Sequence, residues 1–370
     1  MVKGSNWFEI DTVEDVISPA LVVYPDRIEA NIKMMIQIAG GTDSLRPHIK
    51  THKIAEIINL QLKHGITKFK CATIAEAELL AKCDAPDILL AMQPVGINIH
   101  RFFELIVQYP NSSFSTIVDN EEIMLKMDSL ASEKKLQVSL WLDINNGMNR
   151  TGITPNNEAV LLYQKMALSN NVIAQGLHVY DGHIHESDFN LRQQICDKDF
   201  DLVVTLKSRI EQLGIKIKTI VAGGTPTFPI HVKRKHVEVC PGTPLLWDQG
   251  YADTYKDLKF LPAAVLVGAV VSKPADNLIC LNLGHKSVAA EMPPPRLKIL
   301  NFEKLEQVSH SEEHLVVECV ESKEYAIGTI CYAIPTHICP TVLKYDTVLT
   351  VIDGTITGHW NIAARDHILN

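Results

Sequence analysis

Three short stretches of the chain combine residue types that do chemistry. The first is Arg46, Pro47, His48, Ile49, Lys50, Thr51, His52 and Lys53, with three cations and two imidazoles in eight residues. A lysine here is a nucleophile for a carbonyl if it can shed its proton near neutral pH, which adjacent cations such as Arg46 and Lys53, or partial burial, favour. On composition alone a solvated basic turn explains the same cluster. The second stretch, Ala222, Gly223, Gly224, Thr225, Pro226 and Thr227, lets backbone N–H groups approach an anion, with threonine hydroxyls as extra donors. A plain tight turn uses the same residues. The third, Thr336, His337, Ile338, Cys339 and Pro340, sets an imidazole and a thiol two residues apart. On an extended segment both project to one face, a chelating pair that leaves the remaining metal positions to water and substrate. A buried cysteine beside a satisfied histidine is the plainer alternative.

Short β-prone runs at residues 45–48, 68–71, 88–92, 115–118, 138–143, 174–180, 219–222 and 237–240 alternate with longer amphipathic stretches. Eight such units predict an α/β fold whose parallel strands close into a (β/α)8 barrel of the TIM type. Polar residues and glycines fall just after successive strands: Lys50, Thr73, Gln93, Asp119, residues 145–150, His183, residues 223–225 and residues 241–243. In a barrel these positions share one face, the catalytic one. Beyond residue 261 the pattern changes to short β-prone runs broken by Gly, Pro and Asp, which predicts an antiparallel β-domain. The expected domains are a barrel over 15–258 and a β-domain over 259–370, with Pro293, Pro294 and Pro295 in a loop. The run 19–23 suits either.

The 370 residues are 46% hydrophobic and 21% charged, which fits a soluble globular protein with a large domain and a smaller one. A formal charge of −8 and the lack of a basic run argue against nucleic acid or a membrane surface as partner, and favour a small molecule. No signal peptide is legible at the N-terminus and no long uncharged apolar run occurs, so a cytoplasmic location is expected. Eight scattered cysteines without a CxxC pair predict no disulfide framework.

The chain also resembles a known family. RPHIKTHK followed by KFKCATIAEAELL, then DINNGMNRTG, GLHVYDGH, AGGTPT, PGT and PTHICPT, is similar in kind and order to the D-threonine aldolases and related D-serine dehydratases. These are a branch of the alanine-racemase-like (fold-type III) enzymes that use pyridoxal phosphate (PLP). The resemblance implies a PLP-binding barrel followed by a β-domain, in agreement with the strand count. It implies that Lys50 carries PLP as a Schiff base, that Gly223, Gly224 and Thr225 hold the phosphate, and that Gly242 and Thr243 assist. It places Arg150 at the phenolic side of the ring and Tyr180 along the cofactor site. It makes His337 and Cys339 ligands of a divalent metal, zinc or manganese, that meets a substrate β-hydroxyl, reversing the plainer reading of that pair. The implied reaction is retro-aldol cleavage of a β-hydroxy D-amino acid, D-threonine giving glycine and acetaldehyde. Dehydration of D-serine to pyruvate and ammonia is the alternative, with a racemase or a non-catalytic PLP-binding protein behind it. A homodimer is expected from the family. His183, His185, His359 and Asp366 are further candidates for proton transfer.

Overall fold

The computed structural model describes residues 6–369. Contacts divide the chain into two units, one of residues 35–50, 58–242 and 366 onward, the other of the residues up to 34, 51–57 and 243–365. Strand β1 (Ala20–Val23) precedes the barrel strands and belongs to the second unit.

In the first unit, β2 (Lys68–Cys71), β3 (Asp87–Leu90), β4 (Ser113–Val118), β5 (Val138–Ile144), β6 (Val172–Val179), β7 (Thr219–Ala222) and β8 (Val237–Val239) pair side by side in parallel. Residues 45–48 close the ring. Arg46 N–H donates to Val239 O at 2.9 Å and His48 N–H to Pro241 O at 3.0 Å, while Lys70 N–H donates to Pro47 O at 2.9 Å on the other side. Pro47 has no N–H to give, so this first staff of the barrel is held by bridges rather than a full ladder. All eight expected strand positions are therefore filled, with edges moved by one or two residues.

Polar caps start the helices directly after the strands, which is why the barrel mouth is polar. The Thr73 hydroxyl accepts from Glu76 N–H at 3.1 Å to begin helix Ile74–Lys82, and the Glu76 carboxylate reaches back to Ala72 N–H at 2.7 Å. Asn120 and Asp188 cap Glu121–Lys134 and Phe189–Glu211 in the same manner.

The barrel interior is filled, not hollow. Leu89, Ile117, Trp141 and Val221, from four different strands, and Cys240, just after β8, form an apolar layer. Against it lies a buried ion network: the Arg46 guanidinium holds Asp87 through two hydrogen bonds of 2.7 and 2.9 Å and Glu238 at 2.7 Å, and Lys68 reaches Glu238 at 2.7 Å. Burial works against the charge on Arg46, but the two carboxylates outweigh it and hold its pKa above the ordinary value.

The second unit is a sheet organised on the long strand β9 (Ala264–Ala275), with β10 (Leu278–Leu281), β11 (Leu297–Ile299), β12 (Leu305–His310), β13 (Leu315–Cys319), β14 (Ile330–Pro335), β15 (Thr347–Ile352) and β16 (Thr355–Asn361). Its pairings are antiparallel except that of β1 with β15. The run 19–23, open in the sequence, thus joins the β-sheet: Ala20 pairs with Val267 and Val23 with Ala264. Val22 is fully buried with Phe8, Tyr24, Val265, Val267, Tyr332 and Val351, and burial of such a side chain stabilises by about 1.5–3 kcal/mol. Pro293, Pro294 and Pro295 lie in an exposed loop before β11, as expected.

Replacing Arg46 by Met should lower the unfolding free energy of the barrel by about 2 kcal/mol, because the buried Glu238 loses one of its two cations, keeping Lys68, and the part-exposed Asp87 loses its partner. Urea unfolding followed by far-ultraviolet circular dichroism measures this, and a loss below about 1 kcal/mol would show that the network contributes little.

Candidate active site

The first barrel staff ends in a short turn, Ile49–Thr51, where Lys50 N–H donates to His48 Nδ1 at 3.3 Å and the Lys50 side chain is exposed. Tyr180 follows β6 by one residue. Its ring centroid lies 5.9 Å from Lys50 Nζ, 5.6 Å from Lys70 Nζ and 4.7 Å from Arg150 Cζ. A Cβ added at Gly224 would sit 3.3 Å from the same ring, and one added at Gly182 only 2.3 Å from it. Three residues expected from sequence, Lys50, Arg150 and Gly224, are thereby gathered around the ring of a fourth, Tyr180.

Of the cations expected to act on Lys50, Arg46 is committed elsewhere. Arg46 turns into the buried ion network, where two carboxylates neutralise it. The cation beside Lys50 is Lys70, buried in β2. Burial pushes the Lys70 ammonium below its ordinary value against the pull of Cys240, and Lys50 pushes the same way. Sequence reading missed it, although lysines at 68 and 70 in a strand share one face by its period of two.

Deeper in the barrel, His178 Nδ1 donates to Asp143 Oδ1 at 2.6 Å, both residues being buried. Burial and Lys70 keep the His178 imidazole below its ordinary pKa and hence neutral. Burial alone would raise the Asp143 carboxyl, but His178 holds it below the usual value. His178 Nε2 is buried without a hydrogen-bond partner. Because Nδ1 carries the proton, Nε2 presents a lone pair.

Gly223 has φ of 78°, and an added Cβ would lie 2.8 Å from both His231 Cδ2 and Thr227 Oγ1, so the loop tolerates only glycine there. Gly223 N–H donates to Val179 O at 3.0 Å and Gly224 N–H to the Thr227 hydroxyl at 3.2 Å. The glycines thus act through shape more than through idle donors. Gly242 N–H donates to Thr225 Oγ1 at 3.2 Å, joining the two expected phosphate segments. Thr243 follows directly and starts the turn Thr243–Leu245.

His183 Nε2 pairs with Asp199 Oδ2 at 2.8 Å, His185 is exposed, and so are His359 in β16 and Asp366. None of these four contacts the Tyr180 ring in the interactions described above.

In the second unit the expected extended segment at His337 and Cys339 does not form. β14 ends at Pro335, and His337 is the N-cap of the short helix Ile338–Val342, which contains Cys339. Pro340 suits a first helical turn, where its missing N–H has no partner to lose, and buried Asp248 accepts from Ile338 N–H at 3.0 Å. The turn still joins the pair. Hydrogen bonding to Cys339, opposed by burial and reinforced by Glu291, lifts the His337 imidazole to about 9. Glu291 Oε1 lies 2.5 Å from His337 Nδ1, and the Thr51 hydroxyl lies 3.3 Å from Cys339 Sγ. With Nδ1 held by a carboxylate, Nε2 is the ring nitrogen that a metal would take on displacing the imidazolium proton, the usual support of a ligating histidine. Glu291 and Asp248 are 46 and 89 residues from His337, with no local signal to link them.

Comparison with known proteins agrees with this layout. The family model described as alanine racemase, N-terminal domain, matches residues 23–246, and the putative serine dehydratase domain matches 263–351. The chain is 27% identical over 362 residues to a D-threonine aldolase of Arthrobacter sp, covering 96% of this chain and 94% of that protein. A D-threonine aldolase structure from Filomicrobium marinum superposes with a TM-score of 0.88 at 23% identity, covering 95% of this chain and 96% of that one. A cysteine-to-alanine mutant of D-threo-3-hydroxyaspartate dehydratase, solved in the metal-free form, superposes at 0.83 with 18% identity, covering 97% and 100%. With a barrel mouth built around Lys50 and Tyr180 and a His–Cys pair in the sheet unit, the chain belongs to the alanine racemase N-terminal domain family, in the PLP-dependent branch of D-threonine aldolases and D-serine dehydratases that adds a serine dehydratase domain.

Proposed function

We propose that this protein is a PLP- and divalent-metal-dependent lyase that cleaves β-hydroxy D-amino acids by a retro-aldol reaction, with D-threonine giving glycine and acetaldehyde. The observation that carries the reading is the Tyr180 ring, met by Lys50, Lys70 and Arg150 and backed by Gly224. These residues suit a flat, anionic, phosphorylated pyridine: cations for its negative groups, an aromatic wall, a loop with no room for a Cβ, and a buried lone pair on His178 without a partner. PLP, when bound, supplies an electron sink for a bond broken at Cα.

Lys50 would provide the amine that holds the cofactor and, in the dehydration reading, the base at Cα. Arg150 faces the phenolic oxygen and Tyr180 fixes the plane of the ring. Gly223, Gly224 and Thr225, with Gly242 and Thr243, hold the phosphate. His337 and Cys339 hold zinc or manganese as a Lewis acid for the β-oxygen, and Glu291 keeps the imidazole oriented. Dehydration of D-serine to pyruvate and ammonia needs the same parts and is the second reading. The fuller match to an aldolase, 27% identical against 21% for a D-serine dehydratase of Dictyostelium discoideum, supports the first. The reading includes a cytoplasmic homodimer. Among the described residues no helix is long and apolar enough to cross a membrane.

Incubation of the metal-loaded holoprotein with D-threonine and D-serine should release acetaldehyde and glycine from the former. Pyruvate from D-serine alone would replace the aldolase reading by the dehydratase one, and no product with zinc or manganese would remove both. Borohydride reduction followed by peptide mapping should leave the cofactor on Lys50, and label on Lys53 or Lys70 would refute the lysine assignment. His337→Ala should keep the bound-cofactor absorption yet lower turnover by on the order of 100-fold, the scale seen when metal sites are damaged; unchanged turnover would exclude a catalytic metal at this pair.

A further inference from the structure

Behind the Gly223–Gly224 turn lies a buried network that sequence reading did not find. Asp181, Cys196 and His231 are all buried, with ligand-type atoms within 4.8 Å of one another. A metal is the first idea such a group suggests, but its atoms are otherwise committed. The Arg234 guanidinium donates to His231 Nδ1 and lies 3.7 Å from Cys196 Sγ, so a cation already occupies that side. An imidazole that accepts at Nδ1 carries its proton on Nε2, and Nε2 lies 2.7 Å from Asp181 Oδ2 and 3.3 Å from Cys196 Sγ. The other carboxylate oxygen, Oδ1, accepts from the Thr227 hydroxyl at 2.9 Å. That hydroxyl in turn accepts from Gly224 N–H at 3.2 Å.

The result is one directed chain, from Arg234 through His231 to Asp181, and from Gly224 through Thr227 to the same carboxylate. Burial works to raise the Asp181 carboxyl, but hydrogen bonds from His231 and Thr227 hold it below its ordinary value, so it is ionised at neutral pH. The contact is also steric, since His231 Cδ2 and Thr227 Oγ1 fill the space where Gly223 lacks a Cβ.

We propose that Asp181, Thr227 and His231 are positioning residues that set the Gly223–Thr225 turn for the phosphate of the cofactor. This rests on the PLP reading above. The three side chains need not touch the cofactor; they fix the backbone that does. Because the contact proposed between the turn and the cofactor is with the phosphate, loosening it should weaken a phosphorylated ligand and spare its dephosphorylated counterpart.

The test is equilibrium binding of PLP and of pyridoxal, read by absorption and fluorescence, to the wild type, Thr227→Val, Thr227→Ser and Asp181→Asn. Thr227→Val should bind PLP on the order of tenfold more weakly, the scale of an unmade buried hydrogen bond, with pyridoxal affinity unchanged. Thr227→Ser, which keeps the hydroxyl, should restore PLP affinity, and Asp181→Asn should repeat the valine result. Equal weakening of both ligands by Thr227→Val, no weakening of either, or a failure of serine to rescue would overturn the proposal. If Asp181→Asn does not fold, the valine and serine pair decides alone. Absence of PLP binding at Lys50 in the wild type would instead defeat the underlying function, so the two failures are distinct.

Discussion

Closure of the barrel at residues 45–48 is the constraint on which the site depends. This short staff brings no continuous ladder, only hydrogen bonds to Val239, Pro241 and Lys70. What secures it inside is Arg46, whose guanidinium reaches Glu238 on the adjacent β8 and, past β2, Asp87 on β3. Ion pairs of this kind stabilise little in net terms, because desolvation offsets most of the attraction, but separating the partners leaves a buried charge uncompensated. Lys50 is presented four residues further on, and its position follows from that register.

Above the apolar layer, the barrel mouth concentrates positive charge without scattering it. Tyr180 offers its ring face to Lys50, Lys70 and Arg150, and the carboxylates of Asp143 and Asp181 lie below in buried, hydrogen-bonded positions. Each carboxylate is committed to a histidine. That arrangement leaves the cations as the electrostatic face toward an anionic ligand, while keeping the interior close to neutral.

The His337–Cys339 pair in the sheet unit follows the same design of a reactive group plus its support. His337 is held by Glu291, the turn that carries Cys339 is pinned by Asp248, and Thr51 packs its hydroxyl against the thiol. A two-residue spacing on a strand would point both side chains one way, and the helical turn reaches the same pairing by a different route. The two-residue spacing foretold that His337 and Cys339 meet, even where the extended segment inferred from it does not form.

Much of the framework was legible in the residues. The eight barrel strands show as β-prone runs, because a strand buried on both faces leaves a short apolar block bounded by turn residues. The lysine at the first strand end, the glycine pair after the seventh and the His–Cys pair are local patterns and could be read locally. The closing partners were not legible, since Arg46 meets Asp87 and Glu238 across 41 and 192 residues. Nor was the place of Lys70, whose burial depends on which way β2 faces, nor the support of the Gly223–Gly224 turn by Asp181, Thr227 and His231. Sequence by itself determined which chemical groups stand at strand ends, because periodicity and turn residues are properties of neighbours along the chain. Only the tertiary structure decided which of those groups are neutralised, buried or aimed at one ring, because charge and burial depend on residues that the barrel brings together from distant parts of the chain.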